Sequence, residues 1–123
     1  MLSGERLLIV EEEFLIAMDI QRVVEDANAA QTVFARNYKE LAALEPRFGE
    51  FDLAIVTPPR PGTREGPLLD RLVQAGAALV VCSATHAASP AGNLPFAQIV
   101  TKPFADDELL QACLRALKTR KHS

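Results

Sequence analysis

The sequence is short of the residues that most often announce a chemistry. It holds 2 cysteines and 2 histidines in 123 residues, with neither the spacing of a disulfide framework nor that of a metal site. Cys82 and Cys113 fall in apolar surroundings, one in a strand pattern and one in a helix pattern, and read as reduced core thiols of a cytoplasmic protein. Long apolar runs are missing too, and none approaches the roughly 18 residues of a membrane span. The N-terminus offers only Leu7-Leu8-Ile9-Val10 and then Glu11-Glu12-Glu13, which is not a secretory leader. Basic charge is scarce: 13 Lys and Arg stand against 16 Asp and Glu, a net charge of −3. That balance argues against a dedicated nucleic-acid binder, and the basic tail Lys118 to His122 reads as a solvated end. No glycine-rich turn follows the first apolar run, so no string of backbone N–H groups awaits a nucleotide or flavin phosphate.

What is present is an alternation of strand and helix patterns. Leu7 to Val10 is a fully apolar run of the kind buried on both faces of a sheet. Ile16, Ile20, Val23 and Ala27 then fall on one helical stripe. Gln31 to Ala35 reads as a second, weaker strand, and Asn37 to Glu40 as a helix start with a capping-box pattern. "FDLAIVTPPRPG" (Phe51 to Gly62) is a third strand halted by three prolines. Pro67 suits the first turn of a helix that buries Leu68, Leu69, Leu72 and Val73 and stops at Gly76. Ala78 to Ser83 is a fourth strand and Gln98 to Thr101 a fifth. Between them Pro90, Gly92 and Pro95 break up Ala84 to Ala97, predicting irregular chain or at most a short helix. A last helix from about Asp106 to Lys118 should bury Leu110, Cys113, Leu114 and Leu117, with Asp106, Asp107 and Glu108 favouring its N-terminal dipole. There are no repeats and no dividing linker, so residues 1–123 read as a single domain.

Such alternation with short connections predicts an α/β fold: a doubly wound parallel sheet of five strands with helices on both faces. Ligands of such sheets bind just past the strand ends, here Glu11-Glu12-Glu13, Thr57, Ser83 and Lys102. Carboxylates facing a lysine and hydroxyls suit a hard divalent cation and a phosphoryl group better than a dinucleotide.

Four segments, "LLIVEEEFLIAMDI", "DLAIVTPPRPG", "VVCSATH" and "IVTKPF", stand in an order and register that resemble the receiver domain of two-component response regulators, the CheY-like family. The likeness runs from Arg6 to about Lys118. It implies the flavodoxin-like strand order 2-1-3-4-5, an acidic pair at Glu11 and Glu12, a hydroxyl position at Ser83, and Lys102 followed by a cis bond to Pro103.

The departures from the family pattern fall on its chemistry. The resemblance puts the phosphate-accepting aspartate at Thr57, a neutral side chain that is a far weaker nucleophile and a poor magnesium ligand. Asp52 begins the same strand roughly 16 Å away, and Glu65 is placed far along the following loop. Glu12 is longer by a methylene than the family's usual aspartate, and Ile99 takes the place of its switching aromatic ring. Arg60 or Arg64 could fill the space of a metal.

These losses predict an atypical receiver, a pseudo-receiver in two-component and phosphorelay signal transduction. It would act by phosphorylation-independent protein–protein interaction, not as an enzyme. Glu11 and Glu12 are weak metal candidates, so no cofactor is expected, and magnesium only weakly. The expected partners are a histidine kinase or an output protein in the cytoplasm, with no nucleic acid and no membrane, and a homodimer is possible. Two alternatives remain open: a response regulator that accepts phosphate at an unusual site, and, more weakly, a flavodoxin-fold cofactor-binding enzyme.

Overall fold

A computed structural model describes residues 2, 4–59, 62–83, 98–101 and 104–119, with Ser83 and Thr119 by backbone alone. Five strands, β1 (Arg6–Val10), β2 (Gln31–Ala35), β3 (Leu53–Val56), β4 (Ala78–Ser83) and β5 (Gln98–Thr101), alternate with α1 (Phe14–Asp26), α2 (Tyr38–Ala43), α3 (Glu65–Gln74) and α4 (Asp106–Thr119). All neighbouring strands pair in parallel in the order β2-β1-β3-β4-β5. The stretch Ala84 to Ala97 lies outside the described residues.

The period-two alternation of the strands sorts the core into two layers. Leu7, Ile9, Leu53, Ile55, Val80 and Cys82 face the layer closed by α1 and α4. Leu8, Val10, Ala54, Val56, Leu79 and Val81 face the layer closed by α2 and α3. This is why β3, and β1 from Leu7 to Val10, are apolar throughout: both faces are covered.

Local signals end the helices where the chain pattern suggests. Asn37 caps α2, its Oδ1 accepting from the Glu40 N–H at 2.9 Å. The return arm of the capping box is displaced by one residue, since Glu40 Oε1 accepts from the Arg36 N–H at 2.8 Å. Gly76 follows α3 at φ +111°, a backbone angle that favours glycine. Two features depart from the sequence pattern. A 3₁₀ segment, Glu45–Glu50, carries the chain into β3 and buries Phe48. The buried stripe of α4 is Leu109, Ala112, Cys113 and Ala116, with Leu110, Leu114 and Leu117 only partly buried. The leucine pattern misplaced this face because alanine, with its small side chain, is what lets a helix lie close to the sheet.

Candidate functional site

β1 and β3 finish level with one another. Val10 pairs with Val56, and the Thr57 N–H, one residue further on, donates to the Val10 carbonyl at 3.1 Å. On the other flank the Glu11 N–H donates to the Ala35 carbonyl at 3.1 Å. Glu11 and Thr57 therefore stand side by side where β1 leads outward to β2 and β3 leads the opposite way to β4. A crevice at that reversal is the place where open α/β sheets bind ligands.

Glu11 is buried, with 5% of its surface exposed, and it is the one buried charged residue among those described. Burial of a carboxylate requires partners; one is the Glu13 N–H, which donates to Glu11 Oε2 at 3.2 Å. Glu12 and Glu13 are exposed, and Thr57 is half-buried. Glu12 and Thr57 border a cleft of about 600 Å³ together with Arg36, Tyr38, Lys39 and Glu65.

The sequence reading did not single out Tyr38, and it set Glu65 aside as too distant. Tyr38, the first residue of α2, donates its hydroxyl to the Thr57 carbonyl, while its ring packs against the α2/α3 layer. Burial pushes the Tyr38 phenol well above its usual range, the nearby Glu65 charge adds to this, and an interaction with the Thr57 side chain partly offsets it. The available signal was its rarity: it is the single tyrosine of the chain, placed at a helix start just after an outer strand. Glu65, far along the loop in sequence, opens α3 and faces the same cleft as Thr57. Both line one cleft, so sequence distance overstated their separation.

The other site residues are placed less fully. Ser83 ends β4 opposite Thr101, with only its backbone described. Lys102, Pro103 and the cis bond expected between them lie outside the described residues, as does Arg60. Arg64 is exposed at the residue before α3. Ile99 sits on β5 with 43% of its surface exposed. Thr57 brings a neutral hydroxyl to this end of the sheet, and among the described residues no three His, Cys, Asp or Glu side chains gather as metal ligands.

No protein-family model matches the sequence, and no curated protein matches it either. Solved structures do match. A response regulator receiver protein from Sinorhizobium medicae superposes with a TM-score of 0.75 at 19% identity, over 98% of this chain and 100% of that one. The fold is that of receiver domains. The signal receiver domain of an HD domain-containing protein from Pseudomonas fluorescens gives 0.76 at 23% identity, over 95% of this chain and 97% of that one. A response regulator receiver domain protein from Bacillus halodurans gives 0.70 at 20%, over 98% and 100%. At these identities the likeness is one of fold. In this receiver fold the strand order brings Glu11 beside Thr57, and the β4 and β5 ends follow on the Thr57 side.

Proposed function

We propose that this chain is an atypical receiver module of two-component signalling, one domain over residues 1–123, that works by protein–protein contact without accepting phosphate. The observation that carries the reading is Thr57. It occupies the end of the central strand beside buried Glu11, and its hydroxyl is neutral where phosphoryl transfer in this fold needs an anionic nucleophile that also binds metal. Tyr38 holds the backbone of the same residue through its carbonyl. Its partners would be a histidine kinase or an output protein in the cytoplasm. Among the described residues no helix is long and apolar enough to cross a membrane.

Acetyl phosphate with magnesium, followed by intact mass measurement, tests this directly: the chain should gain no phosphoryl group. Thr57→Asp restores a carboxylate beside Glu11 and Glu12 and is the variant in which an adduct is expected. One observation favours a second reading, phosphate acceptance at an unusual site: Glu65 faces the cleft. An adduct mapping to Glu65 or Thr57 in the unmodified sequence would establish that reading instead.

A further inference from the structure

The outer strand β2 and the flank of α1 beside it carry most of the large apolar side chains that the described residues leave exposed. Phe14 is 73% exposed, Leu15 80%, Met18 49% and Phe34 41%. Phe14 and Met18 lie one turn apart on α1, and Ala17 and Gln21 extend the same face. Opposite them stand Phe34 and Arg36, and the groove between measures about 570 Å³. Its upper rim, at Glu11, Glu12 and Arg36, meets the strand-end site.

β2 is an outer strand whose single pairing is with β1. Such strands present a row of free N–H and C=O groups, and proteins that stay monomeric guard them with lysine, proline, bulges or a covering segment. The residues of β2, Gln31-Thr32-Val33-Phe34-Ala35, include no charge, no proline and no glycine. An exposed phenylalanine stands where a guarding lysine would be expected.

We propose that β2 and the adjoining face of α1 form the interface between two copies of this chain. A two-fold axis perpendicular to the sheet sets β2 antiparallel to its counterpart, so the two five-stranded sheets become one. The same axis puts both α1 helices on one side of the joined sheet, with Phe14, Met18 and Phe34 facing the seam. The area is of the right order. Taking about 200 Å² for a large side chain, the exposed fractions of Phe14, Met18 and Phe34 supply roughly 330 Å² of apolar surface per copy. A standard interface buries about 800 Å² per partner, some 56–65% of it apolar, so these three side chains cover about two-thirds of that requirement. This assembly does not depend on whether Thr57 accepts phosphate, and either proposal can fail without the other.

The test is the mass of the full chain in solution, by sedimentation or light scattering, over a series from about 1 µM to about 1 mM. Twice the chain mass is expected. Phe34→Lys, which adds the missing guard, should return the single-chain mass with an unchanged circular dichroism spectrum. Met18→Glu, on the facing helix, should weaken the dimer at least about tenfold and keeps the test open if the first variant misfolds. A single-chain mass throughout the series would overturn the proposal. So would a dimer that both folded variants leave intact, since it would be built through another face.

Discussion

Tyr38 ties the start of α2 to the Thr57 backbone, and the composition makes it unusually easy to observe. The chain has 1 tyrosine and no tryptophan, so phenolate absorbance reports Tyr38 alone. Its pKa is raised in the folded protein, mainly by burial, whereas an unfolded phenol ionises near about 10. The stabilisation this provides is complete below that value and is lost as pH rises from there towards the folded pKa. A spectroscopic titration of the folded chain should therefore show ionisation delayed well beyond about pH 10. Tyr38→Phe should abolish that alkaline dependence and, by removing the bond to the Thr57 carbonyl, cost about 1 kcal/mol at neutral pH in denaturant unfolding. A midpoint at the ordinary tyrosine value would contradict the burial of the ring.

At the scale of elements, the α4 face shows what helical periodicity can miss. Counting leucines selects Leu110, Leu114 and Leu117, yet the residues with no exposed surface are Leu109, Ala112, Cys113 and Ala116. Burial, with Cys82 nearby, pushes the Cys113 thiol up to about 12, so it stays a protonated, unreactive packing group. Ala116→Leu, conservative by hydropathy, should overpack this contact and destabilise the chain by about 1–3 kcal/mol. Thermal or denaturant unfolding measures it, and a neutral result would mean that α4 lies further from the sheet than described. The strands were far more legible than the helices. Gln31–Ala35, Ala78–Ser83 and Gln98–Thr101 occur with the bounds that the pattern predicts. The start of α2 was legible from its capping pattern, but the 3₁₀ segment Glu45–Glu50 had no comparable signal, because it is shaped by the need to bury Phe48 with β3 and its neighbours.

For the molecule as a whole, a charged clip joins α1 to α4. Arg22 donates to both oxygens of Asp106, at 2.9 and 3.0 Å, and also to Asp19 at 2.7 Å. The guanidinium holds the Asp106 carboxyl below its ordinary value of 3.8. The contribution is thus present above that value and is lost as pH falls below it, through the depressed folded pKa. Both partners are exposed, so added salt should weaken the clip. NMR titration of Asp106 should show the depressed pKa in the native chain and a return towards the ordinary value in Arg22→Gln. An unshifted Asp106 in the native chain would show that the clip is not formed in solution.

The sequence by itself determined the layers of this protein. Strands apolar on both faces, joined by amphipathic helices through short connections, admit little besides a parallel sheet covered on two sides, and Thr57 is legible at a strand end from the prolines that follow it. Tertiary structure alone decided what surrounds Thr57 and what remains uncovered. Tyr38 and Glu65 open helices that follow different strands yet line one cleft with Thr57, a juxtaposition with no periodicity to announce it. The exposure of Phe14, Met18 and Phe34 likewise follows from where β2 lies in the sheet. An apolar residue on an outer strand and one on a central strand look alike in sequence, and only the presence or absence of a neighbouring strand distinguishes them.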